Sequence, residues 1–256
     1  MPAMPMLDRG GVRIFHEVTG PADGPAVLLT HGFGASSRMW RANLRALAAA
    51  RRVVTWDIRG HGRSDSPADP ALYSEDLSVA DMAAVLDAAG ADRAVVGGLS
   101  LGGYLSLAFH LRHPERVAAL LLFDTGPGFR RDEARAQWNR TVEQTAVAYE
   151  TKGLEALPER GEVAGAGHVT AAGLALAARG IMAQRDSRVI DSLPTVAVPT
   201  LVLVGSEDRA FLAAADYMAA RIPNARKVVL AGAGHAANVD RPEAFERAVL
   251  GFLEEL

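Results

Sequence analysis

The chain of 256 residues contains no cysteine. That absence removes a thiol nucleophile, a cysteine-ligated zinc or iron–sulfur centre, and a disulfide framework. Lysine is nearly absent too: Lys152 and Lys227 are the only two among 27 basic residues, and 30 acidic residues leave a net charge of −3. A chain without a basic excess carries no overall electrostatic footprint for nucleic acid. Long apolar runs are missing, since the longest, 117–123, is far short of a membrane span. Residues 1–10 include Pro2, Pro5 and Asp8 and show no basic stretch ahead of an apolar core. No secretory signal is therefore expected, and the expected setting is cytoplasmic, with neither nucleic acid nor membrane as partner.

What the chain does have is length and apolar content, 49% by composition, enough to bury a full core without staples. Short apolar runs alternate with longer helical patterns, the rhythm of βα units on a mostly parallel sheet with helices on both faces. Strands are expected at 26–29, 53–56, 94–96, 117–123, 200–204 and 227–230; several have Val or Leu at nearly every position, as strands buried on both faces require. Helices are expected at 39–49, 77–89, 101–111 and 211–222, and a last one from Pro242 that turns Phe245, Val249, Phe252 and Leu253 inward. Residues 15–18 read as an antiparallel edge hairpin. The rhythm breaks once, over 125–193, a helical stretch rich in Ala, Arg and Glu and punctuated by glycines. The expected division is a core of 1–124 and 194–256 with a helical cap, 125–193, over the crevice where open α/β sheets bind ligands.

The chemistry starts at Gly98-Leu99-Ser100-Leu101-Gly102, directly after the strand at 94–96 and at the head of the next helix. In that context G-x-S-x-G makes a sharp strand-to-helix turn that holds the serine out, with glycines leaving room around it. A serine hydroxyl needs a base, normally a histidine oriented by a carboxylate. Seven histidines compete. His110 and His113 lie about 15 Å along the helix from Ser100 and read as cations near its C-terminus. His16 falls on the early edge strand and His168 in the cap. His235, in the small-residue loop Gly232-Ala233-Gly234-His235-Ala236 after the last strand, is the candidate base. Asp208, ending Gly205-Ser206-Glu207-Asp208 after the strand at 200–204, is the preferred orienting acid, and Asp124, at the end of 117–123, is its competitor. Asp57 reads as a packed turn paired with backbone or arginine. For the oxyanion hole the candidates are the Leu101 amide, at a helix N-terminus, and the Phe33 amide in His31-Gly32-Phe33-Gly34. Each such donor is commonly worth about 3 kcal/mol.

These motifs, with Met39-Trp40, Asp57-Ile58-Arg59-Gly60-His61-Gly62-Arg63-Ser64 and Pro199-Thr200-Leu201-Val202, run nearly end to end in one order. The chain resembles the α/β-hydrolase superfamily, and within it Leu99-Ser100-Leu101-Gly102-Gly103 with Met39-Trp40 is similar to the 3-oxoadipate enol-lactonase and small carboxylesterase branch. The resemblance implies the α/β-hydrolase fold and a serine hydrolase that cleaves a carboxylic ester or lactone through Ser100, His235 and Asp208. Ser100 departs from the Asp of haloalkane dehalogenases and epoxide hydrolases, Leu99 from the Asn usual in carbon–carbon hydrolases, and Tyr104 from the Arg usual in the menaquinone-pathway synthase. A cofactor-free perhydrolase or a carbon–carbon hydrolase with the same triad is the alternative reaction. A ligand receptor on this fold with little turnover is the alternative class.

The expected partner is a small ester or lactone. Trp40, Phe129, Trp138, Met182 and Phe211 are the candidate pocket residues. No metal or nucleotide cofactor is expected, because the chain lacks H-E-x-x-H, G-x-x-x-x-G-K-[ST] and G-x-G-x-x-G. The cap's arginines read as solvated helix faces paired with Asp132, Glu133 and Glu143. The other reading gives one of them a substrate carboxylate.

Overall fold

The computed structural model describes residues 6–256; Pro2 and Pro5, which count against a secretory signal, lie outside the described residues. In chain order the strands are β1 (Met6–Asp8), β2 (Arg13–Thr19), β3 (Ala26–Thr30), β4 (Arg52–Trp56), β5 (Ala94–Leu99), β6 (Val117–Phe123), β7 (Thr200–Gly205) and β8 (Ala225–Leu230). They form one sheet in the order β1-β2-β4-β3-β5-β6-β7-β8, antiparallel at β1/β2 and β2/β4 and parallel from β4 to β8. The helices are α1 (Arg41–Leu47), α2 (Glu75–Ala88), α3 (Leu101–Arg112), α4 (Asp132–Lys152), α5 (Ala171–Ala177), α6 (Arg188–Ser192), α7 (Leu212–Arg221), α8 (Ala237–Asp240) and α9 (Pro242–Leu253).

Strand periodicity builds two cores. On β3, Leu28 joins the cluster on one face and Val27 and Leu29 the cluster on the other; Leu120 and Leu122 of β6 divide from Leu121 and Phe123 in the same way. α3 is buried on all sides over its first ten residues, from Leu101 to His110. As expected, Phe245, Val249, Phe252 and Leu253 of α9 face inward. Between β6 and β7 there is no strand. α4, α5 and α6 occupy that segment, and α4 and α5 share a small core of their own in which Val142, Ala146 and Tyr149 meet Leu174 and Ala175. α5 continues into a π turn at Ala178–Met182. Among the described residues no helix is long and apolar enough to cross a membrane.

Three local expectations change. The strand expected at the sheet edge, with His16 on it, is flanked on both sides, because the three-residue β1 takes the edge; so short a strand has too few residues to show an alternating pattern. The helix expected over 39–49 begins instead as a 3-10 turn, Ser37–Trp40, ahead of α1. His110 is buried, and burial pushes its imidazole pKa down, so it is an uncharged core residue and not a helix-terminal cation.

Candidate active site

Ser100 sits between β5 and α3 with φ 55° and ψ −115°, a conformation that costs a non-glycine residue roughly 1–3 kcal/mol. The surroundings hold it there: its N–H donates to Phe123 O at 2.9 Å, and its carbonyl accepts from Tyr104 N at 3.1 Å and Thr125 Oγ1 at 2.6 Å. The flanking glycines are required by contact. A Cβ on Gly98 would lie 2.3 Å from Thr30 O, and one on Gly102 would lie 2.2 Å from the same atom. The elbow is thereby pressed against the end of β3. Gly102→Ala is expected to destabilise the fold by about 3 kcal/mol, since backbone has to move to admit the methyl. Thermal unfolding should show it as a fall in Tm of roughly 5–10 °C.

The neighbouring loop, His31-Gly32-Phe33-Gly34, runs so close that a side-chain carbon on Gly32 would stand 3.5 Å from Ser100 Cβ. Histidines fix this loop from behind. His31 Nε2 accepts from Ile58 N at 3.0 Å, so Nδ1 carries the hydrogen and donates to Gly32 O at 2.7 Å. Burial holds this imidazole neutral, its pKa pushed down to about 4. His168, from the segment between β6 and β7, accepts from Gly62 N at 3.0 Å and donates to Gly34 O at 2.7 Å. Among the described residues the amides of Phe33 and Leu101 donate to no protein group. Asp57 behaves as the packed turn expected of it, accepting from Ser37 N at 2.7 Å and Arg63 N at 2.8 Å.

His235 lies in the loop between β8 and α8, with the Phe211 ring stacked on it at 5.1 Å. Its Nδ1 donates to Asp208 Oδ2 at 2.8 Å. A carboxylate can only accept, so the hydrogen is on Nδ1 and the Nε2 lone pair is left free. Glu207 N donates to Ala233 O at 2.9 Å and ties the loop of the acid to the loop of the base, while the Glu207 side chain is exposed, as expected of a solvated loop charge.

Asp124 is fully buried at φ 43° and spends its oxygens on backbone: Oδ1 accepts from Gly205 N at 2.7 Å and Oδ2 from Ala237 N at 3.4 Å. It braces the two loops and does not touch the imidazole ring by a hydrogen bond. Burial is the main cause that pushes its pKa up to about 7. The sign follows from linkage: unfolded, this carboxyl ionises near its ordinary value of 3.8, and folded it does so only near 7. The stability it contributes is full below the unfolded value and is lost as pH rises toward 7 and beyond. Asp124→Asn is therefore expected to gain on the native chain between pH 4 and pH 8, by up to about 4 kcal/mol. Denaturant titrations of both proteins at the two pH values measure it; equal pH dependence would show that Asp124 ionises normally.

A cavity of about 150 Å³ opens beside Ser100. Leu101, Tyr104 and Thr125 line it with residues 126–129, Trp138, Met182, Gln184, Ala210, Phe211 and Ala214. Four of the five expected pocket residues, Phe129, Trp138, Met182 and Phe211, are on this wall. Trp40 is not: it is fully buried under the sheet, stacked on Phe245 at 6.4 Å and tilted against Phe123 at 6.1 Å. The short 3-10 turn that carries it points the indole into the core instead of up toward the strand ends. Gln184, Tyr104 and Thr125 were outside the expected set. Tyr104 and Thr125 follow the elbow and the end of β6, whereas Gln184 belongs to no motif and has no local signal.

No arginine lines the cavity. Arg135 pairs with Asp132 and Arg179 with Glu143 at 2.7 Å, as the solvated-face reading expects. Other partners differ: Arg130 pairs with Asp191 and Arg188 with Asp186, each at 2.7 Å, Arg179 also with Glu150, and Glu133 with no arginine among the described residues. Among the described residues no group of three His, Asp or Glu is placed to hold a metal ion.

The model of the Alpha/beta hydrolase family matches residues 27–248, and the chain belongs to that family. It is 32% identical to "Putative carbamate hydrolase RutD" of Caulobacter sp. (strain K31), over 94% of this chain and 95% of the relative. It is 27% identical to "Putative 2-succinyl-6-hydroxy-2,4-cyclohexadiene-1-carboxylate synthase" of Bacillus subtilis (strain 168), over 96% of each. Among solved structures it is similar to the enol-lactonase from Burkholderia xenovorans LB400, with TM-score 0.78 and 27% identity over 98% of this chain and 100% of that one. Hydrolases thus predominate among these relatives, while their substrates differ.

Proposed function

We propose that the protein is a serine hydrolase that cleaves an uncharged carboxylic ester or lactone, with Ser100 as nucleophile, His235 as base and Asp208 as orienting acid. The observation that carries this reading is the 2.8 Å bond from His235 Nδ1 to Asp208, which leaves Nε2 free to take a proton, at the same carboxyl end of the parallel strands as the strained Ser100. In the proposed reaction Ser100 Oγ attacks the carbonyl carbon while His235 Nε2 accepts its proton. The oxyanion is held by the Phe33 and Leu101 amides, which have no protein acceptor and sit at a turn and at a helix N-terminus. His235 then protonates the departing alcohol, and the acyl group remains on Ser100. Water, deprotonated by His235, releases the acid and restores the serine. Asp208 stays ionised and keeps the proton on Nδ1 throughout. The chemistry uses only these groups and water.

The substrate side rests on the cavity wall, which has aromatic and aliphatic surface and no charged side chain. A carboxylate substrate, such as an enol-lactone that retains one, would have to be buried there without a cation, which is costly. The segment 125–193, which supplies Phe129, Trp138, Met182 and Gln184 to the wall, acts in this reading as a cap. Steady-state hydrolysis of p-nitrophenyl butyrate tests the proposal: many turnovers per protein are expected. A single burst of nitrophenol with no further release would point instead to a receptor that acylates and stops.

A further inference from the structure

The cavity beside Ser100 is apolar, and its few polar side chains are almost all committed. Tyr104 Oη donates to Glu75 Oε2 at 2.7 Å, Thr125 Oγ1 donates to Ser100 O at 2.6 Å, and Trp138 Nε1 donates to Met182 O at 2.9 Å. Each has thereby used its only hydrogen. Gln184 differs. Its Oε1 accepts from Phe129 N at 3.1 Å, and because that partner is a donor the amide cannot be turned the other way. The NH₂ end is thus fixed in place, and among the described residues it donates to no group.

The residue is also held from two sides. Its own backbone is clamped by Asn139, which accepts from Gln184 N at 2.9 Å and donates to Gln184 O at 2.8 Å. Gly128 packs flat against the amide, so tightly that a Cβ there would lie 2.9 Å from Oε1. The residue is only 8% exposed. Its Nε2 is not one of the fully enclosed side-chain atoms without a partner, so it reaches open space, and on the wall of a cavity that space is where a ligand's acceptor can replace water.

Its distance from the reacting centre can be bounded. The strip 125–129 is anchored at one end to Ser100 through Thr125 and at the other to Gln184 through the Phe129 amide. Four residues span at most about 14 Å. Ser100 and Gln184 also line one cavity of about 150 Å³, so a chain attached to the carbonyl at Ser100 lies in the space that Gln184 borders.

We infer that Gln184 Nε2 is a specificity-determining donor, and that the substrate is an ester or lactone whose chain carries an uncharged oxygen acceptor, an ether, ketone or hydroxyl, several bonds from the carbonyl. The inference rests on the reading of Ser100 as the attacking group and names the substrate class of that same site. A carboxylate is not the ligand, since one neutral amide hydrogen replaces neither its hydration nor a counter-charge.

The test uses p-nitrophenyl methoxyalkanoates with the ether oxygen at carbon 3, 4, 5 or 6, each paired with the plain alkanoate of equal chain length. For the native protein, kcat/KM is expected to favour the ether over its alkyl partner at one position of the series. In Gln184→Met that ratio should fall about fivefold, within the range of one neutral hydrogen bond. Gln184→Glu keeps the acceptor for Phe129 N and puts an oxygen where Nε2 stood, and should lower the ratio at least as far. An ether-to-alkyl ratio that is flat along the series, or unchanged in Gln184→Glu, would overturn the assignment. The ethyl esters of the same acids, titrated against Ser100→Ala by the fluorescence of Trp138, read the preference without turnover. If no ester is hydrolysed but the ether esters still bind more tightly, the hydrolase reading fails and Gln184 keeps its role; hydrolysis with no ether preference keeps the hydrolase and removes that role from Gln184.

Discussion

Replacing Ser100 by alanine is expected to lower kcat on a p-nitrophenyl ester by about 10⁵ to 10⁶, the scale on which loss of a serine nucleophile acts elsewhere. It should also abolish covalent labelling by a fluorophosphonate. The change removes one oxygen from a side chain that takes no part in packing the elbow: the bonds that hold this turn run through the Ser100 backbone, to Phe123, Tyr104 and Thr125. The variant should therefore fold and keep its Tm within about 2 °C of the native chain, as a surface-like change does. The residual rate would report the Phe33 and Leu101 amides and binding alone. Labelling that persists in Ser100→Ala would show that another serine is the nucleophile.

Asp208→Asn is expected to cost on the order of 10⁴ in kcat, by the reasoning that applies to the acid of a protease triad. An asparagine at this position can present its NH₂ to the ring, and the imidazole then keeps its hydrogen on Nε2, where it cannot accept the proton of Ser100. Asp124→Asn is the matched comparison. That carboxyl bonds to Gly205 N and Ala237 N instead of to the ring, so its loss should loosen the two loops and lower kcat by about tenfold or less. If the two variants exchange these magnitudes, Asp124 is the orienting acid. Measuring kcat and KM for both on one ester decides it. Asp208→Asn should act on kcat with little effect on KM, because the imidazole tautomer is needed for proton transfer and not for binding.

The parts of the site that could be read from the chain are those whose geometry is local. G-x-S-x-G after an apolar strand and before a helix is a complete structural unit, and Ser100 stands where that unit puts it, at positive φ between β5 and α3. The strands from β3 to β7 were legible for a similar reason: with both faces buried, they are apolar nearly throughout, and β6 has the same bounds in sequence and structure. The edge strand β1 had no such signal, because three half-exposed residues bury too little to be patterned.

Contacts between distant elements were legible only as alternatives. Asp124 and Asp208 both end strands, and chain order favoured Asp208, but the difference between them is a matter of which oxygen meets an imidazole 27 residues away and which meets two amides. Trp40 fits a pocket by residue type, and the cores decide otherwise: it fills the space between Phe123 and Phe245, where a large apolar ring gains most from burial. His110 has the position of a helix-end cation and the surroundings of a core residue.

Local pattern was therefore enough for the sheet, the family, the serine elbow and the small-residue loop that bears His235, since each depends on residues within a few positions of one another. It took the folded arrangement to show which carboxylate the histidine faces, that Trp40 belongs to the core, and that Gln184 presents a free amide to the cavity. Those outcomes depend on packing between segments far apart in the chain, where burial and hydrogen-bond satisfaction select one arrangement from several that local pattern allows equally.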